Sequence, residues 1–173
     1  MSGEGLEPLN TKKFVKHGGA SIMVWGVITA AGVGRLYRIE GTLTGARYTE
    51  ILQDANLGAL KDQRRRTQSI IFQQDNDLKY TSLVAREWFK SRRIEVTPWP
   101  ASSPNLDIIE RVWESLDCKV RSCDVLPRNK TELWEALKEE WYRIHLSFIE
   151  KSYDSIPSRL QAVIDANGGN TRY

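Results

Sequence analysis

Carboxylate side chains occur at two places where a secondary-structure element is predicted to end or begin. Asp75 and Asp77 directly follow the short apolar strand predicted over Ser69–Gln73. Glu110 lies near the start of a predicted amphipathic helix, and thirty-four residues separate it from Asp75. Hard oxygen ligands from separate elements are what Mg²⁺ or Mn²⁺ requires. A carboxylate after a strand is also typical of an Asx turn or a helix cap, so the residues alone leave both interpretations open.

The pattern around these residues predicts a mixed α/β sheet. A β-hairpin comes first, and strands and amphipathic helices then alternate before a run of helices at the carboxyl end. In open sheets of this kind functional sites lie at the carboxyl ends of strands, which is where Asp75 falls. The predicted strands are Ala20–Thr29, Gly34–Glu40, Ser69–Gln73 and Ile94–Thr97.

The amino-terminal segment is expected to stand apart from this pattern. Residues 1–17 contain Gly, Pro, Asn and Lys without a hydrophobic period, so they are predicted to be irregular. The globular domain is therefore expected to span 18–173. A chain of 173 residues with 40% hydrophobic residues is long enough for one domain with its own core.

Composition excludes several classes of protein. The sequence has no apolar run long enough to cross a membrane, and its first residues do not have the pattern of a signal peptide. Two cysteines, Cys118 and Cys123, do not suggest a disulfide framework. Two histidines and no CxxC pair make a zinc site a poor interpretation.

Basic residues concentrate in one part of the chain, although the net charge is only +3. Between Leu60 and Arg93 there are nine Lys and Arg residues against four acidic ones. A positive band beside paired carboxylates suits a polyanionic substrate such as nucleic acid, whereas by itself it is also typical of an ordinary solvated surface. The basic residues are Lys61, Arg64, Arg65, Arg66, Lys79, Arg86, Lys90, Arg92 and Arg93.

Several motifs together resemble the mariner/Tc superfamily of DNA transposases. They are GGASIMVWG at residues 18–26, FQQDNDLKYTS at 72–82, WPASSPNLDIIERVW at 99–113 and the final SIPSRLQAVIDANGGNTRY. Their order and spacing match, and the similarity runs from about Phe14 to Tyr173. The resemblance implies a ribonuclease-H-like fold, with strands in the spatial order 3-2-1-4-5. It also implies an Asp-Asp-Glu triad that holds two divalent ions for attack on a DNA phosphodiester.

The resemblance assigns roles to particular residues. Asp75 matches the second Asp of the triad and Glu110 its Glu, so both are expected to bind Mg²⁺ or Mn²⁺. Residues near the metal or in contact with DNA would be Asn76, Asp77, Lys79, Trp99, Arg64, Arg65 and Arg66. For Asp77 the interpretation as a cap of the next helix remains equally open, and for Arg64–Arg66 a surface loop or a nuclear signal does.

Departures from the family pattern suggest a decayed or repurposed copy. The first triad Asp would lie roughly ninety residues before Asp75, so that residue and its strand are expected to be absent, together with the helix-turn-helix segments. Pro-Lys-His-Thr is replaced by Leu78-Lys79-Tyr80-Thr81. The usual Ser-Pro-Asp-Leu-Asn-Pro-Ile-Glu is Ser-Pro-Asn-Leu-Asp-Ile-Ile-Glu at 103–110.

Three functional hypotheses follow from these features. The first is a transposase catalytic-domain fragment that is inactive alone, with DNA as its partner, the nucleus as its location in a eukaryote, and self-association through sheet edges left open by the missing central strand. The second is a non-catalytic module that binds DNA or protein. The third is an enzyme in which Glu4 or Glu7 substitutes for the missing Asp.

Overall fold

The structure is a computed structural model that describes the backbone of residues 6–10, 12–17, 20–62, 71–100 and 106–167, and the side chains of 21–55, 71–100 and 106–167. Its strands are β1 (Leu6–Asn10), β2 (Lys12–His17), β3 (Ala20–Thr29), β4 (Gly32–Ile39), β5 (Ile71–Gln74) and β6 (Glu95–Val96). Its helices are α1 (Gly45–Asp62), α2 (Leu83–Ser91), α3 (Ile108–Arg121), α4 (Lys130–Tyr142), α5 (Leu146–Asp154) and α6 (Ile156–Asp165).

The centre of the sheet is occupied by the amino-terminal segment. β1 and β2 both pair antiparallel with β3 in one register, with Leu9 opposite Ile28 and Lys12 opposite Trp25. On its other side β1 pairs parallel with β5, and β5 pairs parallel with β6. β4 covers the far edge of β3. The spatial order is therefore β4, β3, β1 with β2, β5 and β6, which is the order 3-2-1-4-5.

The expectation that residues 1–17 are irregular is wrong for 6–10 and 12–17, and so is the expectation of a missing central strand. A central strand needs backbone N–H and C=O groups on both edges, and polar side chains do not prevent that pairing. Pro8 has no N–H to contribute, and the pairing of β1 with β5 shifts register between Leu6 and Leu9, around the proline. The irregularity accommodates Pro8 without breaking the sheet.

The filled centre also corrects the expected consequence of a gap. The inner edges of β3 and β5 are both paired with β1, so the sheet is neither split nor closed by direct pairing of β3 with β5. The reason given for self-association, an open edge in the middle of the sheet, therefore does not hold.

Alternate residues of β3 point to opposite faces of the sheet and nucleate two apolar clusters. On the first face Ile22, Val24 and Ile28 pack with helices α3, α4 and α5. The predicted stripe of α3 is confirmed there, since Ile109, Trp113, Leu116 and Val120 are all buried. On the second face Trp25 and Val27 pack with α1 and α2.

Helix starts follow local capping chemistry. Thr44 was predicted to cap α1, and its hydroxyl oxygen accepts a 3.2 Å hydrogen bond from the Arg47 N–H. The predicted cap of α2, Thr81, is wrong by one residue, because Ser82 accepts from the Ala85 N–H instead. The sequence also places Val84 and Trp88 on one face of α2; Val84 is half exposed, and the buried face is formed by Ala85 and Phe89.

The carboxyl part is helical, as predicted. α5 and α6 are separated only by Ser155, and Pro157 lies in the first turn of α6, where a missing N–H is tolerated. Within the described part of the chain, none of the helices combines the length and apolarity needed to cross a membrane.

Candidate functional site at the end of strand β5

Asp75 lies immediately beyond β5, at the carboxyl edge of the sheet. Its carboxylate Oδ1 accepts a 3.1 Å hydrogen bond from the Asp77 N–H, which makes a tight Asx turn. The neighbouring central strand ends at the same edge, with Asn10 in register with Gln74. Asp75 is half-buried. Asp75 therefore makes the Asx turn that was one of the two interpretations of the sequence. It also lies at the edge of the sheet where functional sites are expected.

A buried polar contact fixes the strand end that carries Asp75. The Gln74 side chain is buried and its Oε1 accepts a 2.7 Å hydrogen bond from the Tyr48 hydroxyl on α1. Its amide Nε2 donates to the Tyr80 carbonyl at 3.1 Å. The rings of Tyr48 and Tyr80 lie 4.5 Å apart. Because both ends of the Gln74 amide are bonded, the start of the Asp75 loop is held to the core.

Glu110 lies in the first turn of α3, whose cap is Asp107. The Asp107 carboxylate accepts a 3.2 Å hydrogen bond from the Ile109 N–H and is buried. The pKa of Asp107 is raised to about 7, chiefly by burial, with smaller contributions from the negative charges of Glu110 and Asp75 that oppose the effect of the bond from Ile109. Both predicted carboxylates are therefore near enough to Asp107 to affect the pKa of this one buried acid.

The phenol of Tyr80 also lies close enough to Asp75 to be affected by its charge. Burial raises the pKa of the Tyr80 phenol, and the charge of Asp75 adds to that effect. The Tyr80 hydroxyl is buried and makes no hydrogen bond with any described residue. Tyr80 stands where the family pattern has His, so a neutral phenol borders Asp75 in this chain.

The donor set is composed of hard oxygens, which suits Mg²⁺ or Mn²⁺ and no softer metal. Among the residues whose side chains are described, no group of three or more His, Cys, Asp and Glu side chains is arranged to hold a metal ion. Asp75 and Glu110 are thus two candidate ligands without a described third. Mg²⁺ often takes only one or two protein carboxylates and completes its shell with water and substrate oxygens.

The other predicted site residues have distinct surroundings. Asn76 donates from Nδ2 to the Trp99 carbonyl at 2.8 Å, which ties the Asp75 loop to the Trp-Pro loop. Asp77 does not cap α2; its Oδ1 accepts from the Lys79 N–H and its Oδ2 pairs with the Lys79 ammonium. The Lys79 ammonium also lies 4.4 Å from the Tyr80 ring centroid. Lys79 is therefore engaged within the loop, with its side chain only 11% exposed.

Some predicted site residues lie outside the described side chains, and other residues near the site were not predicted. Arg64, Arg65 and Arg66 lie outside the described residues, as does Glu4, and Glu7 is described only as a backbone position on β1. Asp107 was not among the predicted site residues, although the family pattern has Asn at this position. Arg86 and Lys90 were counted only within the basic band, yet their spacing of four on a helix predicted a shared face.

Comparison with known proteins identifies the family of this chain. A sequence model of the DDE superfamily endonucleases matches residues 7–134. The chain belongs to this family.

Individual DDE relatives agree with that assignment. The chain is 41% identical over 160 residues to the transposable element Tc1 transposase of Caenorhabditis elegans, covering 92% of this chain and 57% of that protein. It is 37% identical over 170 residues to the Tcb2 transposase of Caenorhabditis briggsae, covering 97% and 60%. The chain thus spans somewhat more than half the length of these relatives.

Solved structures confirm the fold of this DDE domain. The catalytic domain of Mos1 mariner transposase superposes with a TM-score of 0.83 at 18% identity, covering 95% of this chain and 83% of that one. The same domain solved with raltegravir and Mn gives 0.83 at 20% identity, covering 95% and 84%. The ribonuclease-H-like fold and the mariner/Tc relationship expected from the sequence are both confirmed.

Proposed function

We propose that this chain is the catalytic-domain portion of a transposase in which Asp75 and Glu110 hold divalent ions beside a DNA phosphodiester. The observation that carries the proposal is the position of Asp75 directly after β5 at the carboxyl edge of the sheet, together with the effect of both Asp75 and Glu110 on the pKa of the buried Asp107. The family assignment adds that the relatives are transposases of transposable elements. Acting on transposon DNA in a eukaryotic cell would place the protein in the nucleus.

The residues present fit Mg²⁺ or Mn²⁺ in the nature of their donors. Asp75 and Glu110 offer hard carboxylate oxygens, and their negative charges add to the effect of burial in raising the pKa of Asp107. When bound, a divalent ion would supply Lewis-acid polarisation of a phosphoryl oxygen and lower the pKa of a bound water. Asp75 and Glu110 would be its protein ligands.

Three neighbouring side chains would position the two proposed ligands and the loop beside them. Asp107 ties the first turn of α3 through the Ile109 N–H and thereby orients Glu110. Gln74, held by Tyr48, sets where β5 ends and where Asp75 begins. Asn76 holds the Trp99 backbone across the opening of the site. A misplacement of about 1 Å in such groups is expected to cost much of the rate.

The 173-residue chain expressed as it stands is proposed not to cut or join DNA. The strand beside Asp75 carries Glu7 as the one acidic residue between Leu6 and His17. Two carboxylates leave a two-metal site short of the ligand that the family uses to bridge both ions. We expect weak Mn²⁺ binding without strand cleavage.

Titration calorimetry with Mn²⁺ and a plasmid-nicking assay test this pair of statements. Asp75→Asn and Glu110→Gln should each abolish the weak Mn²⁺ binding, whereas Asp124→Asn, at an exposed carboxylate away from the site, should not. Nicking by the purified parent chain that Asp75→Ala abolishes would refute the proposed inactivity. Mn²⁺ binding that survives in both site variants would refute the site.

DNA binding by this chain is proposed to be electrostatic and sensitive to salt. Phosphate contacts release counterions, so affinity should fall by orders of magnitude between low and physiological salt. Neutralising Arg64, Arg65 and Arg66 together should reduce the slope of log affinity against log salt. An unchanged slope would assign the contacts to another surface.

A further inference from the structure

A groove of about 410 Å³ opens beside Asp75. Its walls come from the Asp75 loop, from α2 and from the segment that follows β6. The groove thus joins one candidate metal ligand, Asp75, to residues that the candidate metal site does not use. The residues that define it are Asp75, Arg86, Lys90, Pro98 and Trp99.

Hydrogen bonds to the backbone hold the walls of the groove together. The Thr97 N–H donates to the Phe72 carbonyl at 2.9 Å and so continues the pairing of β6 with β5. The Asn76 side chain then bonds the Trp99 carbonyl at 2.8 Å. The Trp-Pro loop is thereby fixed at two points, and the half-buried Trp99 indole is held next to the Asp75 loop.

The floor of the groove is apolar and its rim is basic. Phe89 and Ile94 in the floor are buried core residues. Arg86 and Lys90 lie one turn apart on α2 and are exposed. Neither has an ion pair with a described carboxylate, whereas Arg35, Arg121 and Arg143 on other surfaces all do. Two cations without an ion pair to any described carboxylate, over an apolar slot, match a ligand with a flat apolar ring and an anionic chain.

We propose that this groove binds a single-stranded stretch of DNA, with a base against Trp99 and Pro98 and its phosphates on Arg86 and Lys90. The proposal rests on the function proposed above and adds the form of DNA at the site. Every base has a stacking face and single strands expose it, whereas a duplex keeps its bases stacked on one another. A strand seated here would lead its backbone past Asp75.

Fluorescence anisotropy of the 173-residue chain tests the groove. The probes are a labelled oligothymidylate and a labelled duplex of equal length, in EDTA so that no cleavage occurs. Trp99→Ala should weaken single-strand binding about 5- to 150-fold, the range for loss of one stacked base, and change duplex binding by less than about twofold. Trp99→Phe should restore most of the single-strand affinity.

The basic rim has its own readout. Arg86→Ala with Lys90→Ala should lower the salt slope of single-strand binding by about 1.4, the value for two phosphate contacts. A charge-matched control, Lys138→Ala with Lys151→Ala on helices of the opposite face, should leave that slope unchanged. Tyr142→Ala, at an exposed aromatic on α4, is the matched control for Trp99→Ala. Circular dichroism melts confirm that each variant is folded.

The outcomes separate the two proposals. If the parent chain binds neither probe at low salt, the DNA-directed function fails and the groove proposal with it. If the parent chain binds both probes but Trp99→Ala and the rim variant change neither affinity nor slope, the groove proposal alone is overturned. Equal losses on duplex and single strand would also overturn it, since they would mean a duplex-binding surface.

Discussion

Both faces of the sheet are packed with large aromatic side chains, but these side chains make different kinds of contact on the two faces. On the face of α3 and α4, the indoles of Trp113 and Trp141 stack at 5.1 Å between centroids and 26° between planes. They sit over Gly26, where a Cβ would approach Trp141 to 2.7 Å. The Trp141 Nε1 donates to the Gly34 carbonyl at 2.8 Å. This face joins helices to the β3–β4 hairpin and reaches no candidate site residue except through the start of α3.

On the face of α1 and α2 the aromatic packing contains polar links. Tyr48 and Tyr80 pack together, and the hydroxyl of Tyr48 holds the buried Gln74 amide that precedes Asp75. The charge of Asp75 raises the pKa of both phenols, although burial is the larger cause. The difference indicates that the first face sets the stability of the domain, whereas the second also sets the geometry at the end of β5.

The largest expected loss of stability comes from a substitution in the core of the first face. Trp141→Ala removes a fully buried indole and its bond to Gly34, and should reduce the free energy of unfolding by about 3–5 kcal/mol. Urea denaturation followed by circular dichroism measures the loss. The adjacent Tyr142→Ala, at an exposed side chain, should change it by no more than about 0.5 kcal/mol. Comparable losses in the two variants would mean that the indole stack is not the source of stability.

A smaller effect should distinguish two hydroxyls of the second face. Tyr48→Phe leaves the buried Oε1 of Gln74 without its donor and should cost about 1–2 kcal/mol. Tyr80→Phe removes a buried hydroxyl that has no hydrogen-bond partner among the described residues, so it should be neutral or slightly stabilising. The same denaturation measurement compares them. If Tyr80→Phe is the more destabilising of the two, the hydrogen bond from Tyr48 to Gln74 does not stabilise the fold as its geometry indicates.

How far the sequence predicts the fold depends on whether the determining interactions are local. The α3 stripe follows from spacing alone, since Ile109, Trp113, Leu116 and Val120 repeat at helical intervals and are buried. The central strand was missed because its pairing with β3 and β5 involves backbone groups far apart in the chain. Pro8 argues against a strand locally, and only the register shift in the paired sheet shows how it is accommodated.

Motif and spacing were enough to propose Asp75 and Glu110 as ligands, but not to predict the surroundings of the candidate site. Asp107 was not predicted, because its burial depends on packing between the start of α3 and the sheet. Lys79 was expected near the metal or in contact with DNA, and its ammonium pairs with Asp77 two residues away. Side-chain pairing within a loop follows from backbone turns that composition does not reveal.

The last predicted effect depends on pH and lies at Asp107, where α3 of the first face reaches the site of the second. The pKa of the Asp107 carboxyl is about 7 in the folded chain, against about 4 for an unfolded Asp. The folded state therefore holds the proton more tightly, and the stability that this adds is fully present below about pH 4 and disappears as the pH rises to about 7. Asn caps a helix as well as Asp does and does not ionise.

Asp107→Asn should therefore remove this pH dependence. In EDTA, the melting temperature of the parent should fall relative to that of the variant as the pH rises from 5 to 8, because over this range Asp107 loses its proton in the folded chain whereas the variant has none to lose. The change in relative stability between pH 5 and pH 8 should be equivalent to about 2–3 kcal/mol. Differential scanning fluorimetry between pH 5 and 8 measures the difference, with the exposed Asp124→Asn as the control, for which it should not change with pH. A constant difference for Asp107→Asn would mean that the pKa of this carboxyl is not raised in the folded chain, neither by its burial nor by the charges of Asp75 and Glu110.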